Sequence, residues 1–117
     1  MKLAVVGSRE FTDYNLLKQK IEFYCQKELP SLFISGGCKS GADYYIYKLA
    51  TEELEIPILT IPAKWKTLGR PAGPIRNRLI IEACSACVAF WNGSSRGTKS
   101  SIDICAELNK PCKIVRF

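Results

Sequence analysis

Apolar and polar positions along this chain follow two alternating periods. Short apolar runs at Lys2 to Val6, Leu32 to Ser35, Ile58 to Ile61, Val88 to Trp91 and Cys112 to Val115 predict five strands. The segments between them repeat apolar residues at helical spacing, as Leu17, Ile21, Tyr24 and Cys25, then Ala42, Ile46, Leu49 and Ala50, then Ile80, Ala83, Cys84 and Cys87, and finally Ile102, Cys105 and Ala106. Start and stop signals agree with this division. Thr12 and Asp13 offer a cap to the first helix, Leu29-Pro30 closes it, and Ser40 with Asp43 three residues later reads as a capping box for the second. Pro74 suits the first turn of the third helix, where Arg78 aligns with Glu82 as a surface pair. Strands alternating with helices predict an α/β fold: one Rossmann-like, doubly wound, mostly parallel five-stranded sheet with helices on both faces, spanning 1–117 as a single domain.

The polar segments that interrupt the pattern are not evenly distributed. Each unusual one follows a strand: Gly7-Ser8-Arg9, Ser35 to Gly41, Pro62 to Gly73, and Asn92 to Thr98. In a parallel sheet these loops share one rim, where ligands of doubly wound folds bind. The stretch from Val88 to Thr98 reads as strand, glycine loop and helix start, an arrangement whose backbone N–H groups and helix dipole suit a phosphate. Gly93, Ser94, Gly97 and Thr98 are the candidate cradle, and Gly36, Gly37 and Gly41 form a weaker copy that could equally be a plain turn permitting positive φ. Pro62 to Pro74 is the longest irregular stretch and the candidate lid. Within it Trp65 is the better candidate to stack on a base, a contact of about 1–3 kcal/mol, whereas Trp91 ends a strand. Tyr44, Tyr45 and Tyr47 read as packing or a subunit interface.

Charge and composition narrow the chemistry. The net charge of +6 invites a nucleic-acid reading. Yet Lys18, Lys20, Lys27 and Lys48 scatter over helix exteriors, while Arg9, Arg70, Arg76, Arg78 and Arg96 gather near glycines and loops, as suits a compact anion. Arg76 begins a core-facing stripe and must find an anion or a carbonyl cluster, because it cannot lose its proton. Arg9 and Arg76 are therefore the preferred ligand arginines, and their structural alternative is a bridge to loop carbonyls or to Asp43. The chain has no histidine, which excludes Ser/His and Cys/His nucleophiles and histidine-based metal sites. Cys25, Cys38, Cys84, Cys87, Cys105 and Cys112 sit mostly in apolar patterns and read as free packing thiols; Cys84 and Cys87 have CxxC spacing without a second pair. No apolar run approaches the roughly 18 residues of a membrane helix, so no membrane partner and a cytoplasmic location are expected.

Gly7-Ser8-Arg9, Ser35-Gly36-Gly37 with Gly41-Ala42-Asp43, Pro62-Ala63-Lys64-Trp65, Ala72-Gly73-Pro74 with Arg76-Asn77-Arg78, and Gly97-Thr98 together resemble the YspA-like (YpsA-related) branch of the SLOG superfamily. The resemblance runs over nearly the whole chain. It implies a Rossmann-like fold, a pocket for a nucleotide derivative, a homo-oligomer and a bacterial or phage setting. The superfamily includes the DNA-processing protein DprA, the Lonely Guy phosphoribohydrolases, and domains that sense derivatives such as cyclic ADP-ribose. Lonely Guy enzymes carry PGGxGTxxE, and the glutamate position falls here on Ser101, with Asp103 about 200° around the helix. A serine hydroxyl does not supply the carboxylate such cleavage uses.

The expected function is therefore binding, as a sensor or a sequestering protein, of a phosphorylated nucleotide derivative such as an ADP-ribose-type signal. The alternatives are a nucleotide N-glycosidase or phosphoribohydrolase, and single-stranded DNA binding. The candidate ligand-binding residues are Gly7, Ser8, Arg9, Ser35, Gly36, Gly37, Gly41, Asp43, Lys64, Trp65, Arg76, Asn77, Asn92, Gly93, Ser94, Gly97 and Thr98. Asp43 also reads as a cap rather than a catalyst. No catalytic residue, metal or cofactor is assigned.

Overall fold

The computed structural model describes residues 1–117. Five strands, β1 (Lys2–Gly7), β2 (Leu32–Ser35), β3 (Ile58–Thr60), β4 (Ala86–Trp91) and β5 (Cys112–Arg116), form one sheet in the order β3-β2-β1-β4-β5. Every pairing is parallel, so the sheet is wholly rather than mostly parallel. Chain order runs outward from β1 to β3, then crosses back to place β4 on the other side of β1. That reversal opens a crevice at the carboxyl ends of β1 and β4.

Period-2 alternation divides the strand residues between two cores. Leu3, Val5, Phe33, Val88 and Phe90 face α1 (Tyr14–Tyr24) and α2 (Gly41–Lys48), which contribute Leu17, Ile21, Ala42 and Ile46. Ala4, Val6, Ile34, Cys87 and Ala89 face α4 (Ala72–Ala83) and α5 (Arg96–Glu107), which contribute Ile80, Ile81, Ile104 and Cys105. Helices thus cover both faces, as the apolar pattern predicts.

Several local expectations change. Cys87 lies in β4 and not at the end of the third helical stripe, because Cys84 already has extended backbone at ψ 163°. The first helix stops at Tyr24, short of Leu29-Pro30, and α2 continues as a π-helical turn, Leu49–Leu54. The long loop contains one helical turn, α3 (Trp65–Leu68), and α5 begins at Arg96, two residues before Thr98. Asp13 does cap α1, accepting from the Leu16 N–H at 3.0 Å, but Ser40 makes no side-chain cap on α2. Arg78 pairs with Glu107 of α5 at 2.7 Å instead of with Glu82, so it ties two helices together. Of the three tyrosines, Tyr45 packs on Phe11 and Tyr14 and donates to the Thr12 carbonyl at 3.3 Å, while Tyr44 and Tyr47 are exposed. No helix is long and apolar enough to cross a membrane.

Candidate ligand cavity at the strand ends

The loops after β1, β2, β3 and β4 and the first turns of α4 and α5 enclose one cavity of about 890 Å³. Its walls come from Gly7 to Glu10, Gly36 to Lys39 with Asp43, Pro62, Ala63 and Trp65, Gly73, Pro74, Arg76 and Asn77, and Asn92, Ser94 to Thr98, Ser100 and Ser101. Close backbone approach makes this possible. A side chain at Gly7 would stand 2.6 Å from the Ala42 Cβ, and one at Gly41 would stand 2.6 Å from the Arg9 Cα and nearer still to the Ser8 carbonyl. Gly41, with φ +73°, thus lets the start of α2 pack on the β1 loop, where the Ala42 N–H donates to the Ser8 carbonyl at 3.4 Å.

Arg76 joins the two glycine loops. Its Nη1 donates to the Gly36 carbonyl at 3.2 Å and its Nε to Asn77 Oδ1 at 2.9 Å, and Asn77 Nδ2 donates to the Gly97 carbonyl at 3.3 Å. Of the loop carbonyls anticipated as structural partners of an arginine here, Arg76 thus holds that of Gly36, and it still borders the cavity. Asn77 is 7% exposed, which makes both of its amide contacts expensive to lose. Arg9 stands exposed in the cavity wall.

The glycine loop before α5 satisfies much of its own backbone. Asn92 Oδ1 accepts from the Ser94 and Ser95 N–H groups, each at 2.8 Å, and Ser95 Oγ caps α5 by accepting from the Thr98 N–H at 3.4 Å. The cradle offered to an anion is consequently narrower than the sequence suggests, and centres on the helix-start N–H groups of Arg96 and Gly97. Gly93 points away from it. A side chain there would meet the Arg116 guanidinium carbon at 3.1 Å, and Arg116 lies over the Trp91 ring at 5.1 Å. Trp91 donates its Nε1 to the Ser95 carbonyl at 3.1 Å, so this tryptophan braces the loop. Trp65 stays half-exposed at the cavity wall, with its ring edge against Gly73.

Asp43 is half-buried in the cavity wall, and its Oδ2 accepts from the Cys38 N–H at 3.1 Å, so it orders the β2 loop and forms no reciprocal capping box with Ser40. Burial raises its carboxyl above the ordinary 3.8, against the opposing pull of the Cys38 N–H, Arg76, Ser35 and Arg9. Because the folded state holds this proton more tightly than the unfolded chain, its contribution to stability is complete below the ordinary carboxyl pKa. It is lost as pH rises through the raised value. Asp43→Asn should abolish that acid-side dependence while keeping an acceptor for Cys38, a result read from urea midpoints measured across the acid range. Affinity for an anionic ligand should rise as pH falls through the same window in the natural chain and stay level in the variant.

Of the candidate residues, Gly7, Ser8, Arg9, Gly36, Gly37, Asp43, Trp65, Arg76, Asn77, Asn92, Ser94, Gly97 and Thr98 line the cavity. Ser35, Gly41, Lys64 and Gly93 do not; Ser35 Oγ accepts from the Gly37 N–H at 3.3 Å and so shapes the turn. Glu10, Lys39, Arg96, Ser100 and Ser101 line it without having been assigned to it. Their signal was proximity to glycine turns, which is weak for any one residue. Ser101 is buried in the wall, whereas Asp103 faces outward, paired with Lys99 at 2.9 Å. Ser8 Oγ is buried beside the cavity without a hydrogen-bond partner.

No family model matches the chain, and no curated protein matches it. Among solved structures, DNA processing protein A from Helicobacter pylori superimposes with a TM-score of 0.67 at 19% sequence identity. The two share a fold. The match covers 97% of this chain and 64% of that one, so this chain spans less than two thirds of its neighbour's length. The H. pylori protein has been described for its single-stranded DNA binding mode.

Proposed function

We propose that this chain binds a phosphorylated nucleoside derivative in the strand-end cavity, as a sensor or sequestering domain. The observation that carries the reading is the convergence of four post-strand loops on one polar cavity of about 890 Å³, within the size range of small-molecule sites. Arg9, Lys39, Arg76 and Arg96 face it against Glu10 and Asp43, a balance that favours an anion. Phosphate belongs at the Arg96 and Gly97 N–H groups, and Ser8 Oγ supplies a donor that currently lacks an acceptor. Trp65 offers an exposed face to a base. The resemblance to the YspA-like SLOG branch supports the same ligand class and an ADP-ribose-type compound in particular. Serine at position 101 supports binding over glycosidic cleavage.

A second reading, single-stranded DNA binding, draws on the fold shared with the H. pylori protein and on the net charge of +6. A thermal-shift panel with AMP, ADP, ADP-ribose, cyclic ADP-ribose, NAD and a short single-stranded DNA separates the two. A ligand at 100 times its dissociation constant stabilises the fold by about 2.7 kcal/mol, a shift of several degrees for a domain of this size. The expected result is a shift with one small nucleotide and little salt dependence. Silence from every nucleotide, with a DNA response that falls steeply with salt, overturns the small-molecule reading.

A further inference from the structure

Away from the cavity, three thiols that are separated in the chain come together. The Sγ atoms of Cys87 on β4, Cys105 on α5 and Cys112 on β5 all lie within 4.8 Å of one another. Cys87 and Cys112 are register partners on adjacent parallel strands and so project to the same face, where Cys105 descends from the helix above. Cys87 and Cys105 are fully buried and Cys112 is half-buried at the edge strand. All six cysteines are free thiols.

We propose that Cys87, Cys105 and Cys112 form a three-coordinate thiolate site for a single soft monovalent cation, Cu(I). Thiolates are the donors that soft ions prefer. With metal–sulfur bonds of about 2.3 Å, three sulfurs around one ion stand about 4 Å apart, so small side-chain rotations close the site without moving the strands. A structural zinc site takes four ligands. The chain has no histidine to supply the fourth, and Cys84, the nearest further thiol in sequence, donates its S–H to the Ile81 carbonyl at 3.2 Å and stands outside the trio. The sulfurs belong to an apolar cluster that includes Ile80, Ile81, Ala89 and Ile104, which offers no further donor to the ion. Lys110 tempers the negative charge. Its Nζ is fixed on the Cys84 carbonyl at 2.7 Å and its backbone N–H on the Cys105 carbonyl at 2.9 Å, which holds an ammonium beside the cluster. The half-buried Cys112 gives the ion its way in. Binding displaces thiol protons, so affinity should rise with pH.

The test is anaerobic titration of the reduced full chain with Cu(I) against a competing chromophoric chelator, followed by X-ray absorption of the loaded protein. The expected result is one tightly held equivalent with three sulfurs at about 2.3 Å. Cys112→Ser and Cys105→Ala should each weaken binding by more than about a hundredfold, beyond the loss typical of outer-shell changes. Cys25→Ala, on the opposite face of the sheet, should leave it unchanged. Should Cys105→Ala fail to fold, Cys112→Ser decides alone, because its position is already partly open to solvent; circular dichroism of the metal-free variant verifies its fold. Absence of a tight equivalent, retention in Cys112→Ser, equal loss in Cys25→Ala, or tighter four-coordinate binding of Zn(II) each overturns the proposal.

Discussion

Gly41→Ala should remove a large share of the protein's stability. Two effects add at this position. A φ of +73° disfavours any residue with a Cβ, and that Cβ would stand 2.6 Å from the Arg9 Cα and closer still to the Ser8 carbonyl. Both neighbours are backbone, so the strain cannot be relieved by turning a side chain. The β1 loop must instead lift from α2, which breaks the hydrogen bond from the Ala42 N–H to the Ser8 carbonyl. A loss of about 3–5 kcal/mol is expected, against a total of about 5–15 kcal/mol for a domain of this kind. Urea denaturation measures it directly. Gly97→Ala supplies the contrast, since nothing lies within 4 Å of the position its Cβ would take. There the helix should gain a few tenths of a kcal/mol to about 1 kcal/mol. The new methyl group would face the cavity, so ligand-induced stabilisation should fall while stability holds. A stable Gly41→Ala protein with unchanged urea midpoint would show that the close approach of β1 loop and α2 is not required for folding.

Arg76→Ala should act on stability and binding together, because its side chain ties the β2 loop to Asn77, which in turn holds the start of α5, and also borders the cavity. Hydrogen bonds from a charged donor are each worth about 1.5–3 kcal/mol. Loss of the Gly36 and Asn77 contacts should lower stability by about 2–3 kcal/mol once the released groups find water. Removing the cation should lower nucleotide affinity by a similar amount, about 30- to 150-fold. Arg76→Lys should restore little of either. An ammonium cannot reach the Gly36 carbonyl and Asn77 Oδ1 in the fixed geometry of a guanidinium fork. Urea unfolding reports the first effect and thermal shift with ADP-ribose the second. If Arg76→Ala loses stability but keeps the full ligand shift, the residue is a loop brace alone, and the anion is held by Arg9, Arg96 and the α5 N-terminus.

Both substitutions bear on how readily the site could be seen in the chain. The rim was legible because a parallel sheet carries every strand's carboxyl end to one edge, so Gly7, Gly36, Trp65 and Gly97 converge once the strands are assigned. The function of each polar group there was less accessible. Asn92 reads as a candidate ligand residue at the head of the glycine loop, and it lines the cavity while its Oδ1 holds the Ser94 and Ser95 N–H groups. Asp43 looked like a capping-box carboxylate and instead accepts from Cys38 in the preceding loop. Gly93 makes room for Arg116, which arrives from the far end of the chain. For Asn92 and Asp43 competing partners lie within reach of a short flexible side chain, and residue spacing does not choose between them; for Gly93 the neighbour is too distant in the chain for spacing to show it.

The sequence by itself determined the elements and the faces they bury, since period-2 and period-3.6 patterns report locally which side of a strand or helix meets the core. It also determined the parallel architecture, through strands alternating with crossover helices, and therefore the edge on which the cavity lies. Tertiary structure alone decided strand order, and with it every pairing between distant polar or soft groups. Arg78 finds Glu107 because α4 and α5 cover the same face; Arg76 reaches Gly36 because α4 lies behind β2; and Cys87, Cys105 and Cys112 meet because β5 is placed beside β4 under α5. Hydrophobic burial is non-directional and is encoded residue by residue, whereas a hydrogen bond, an ion pair or a thiol cluster exists only where the completed fold brings two or three particular atoms within a few ångströms.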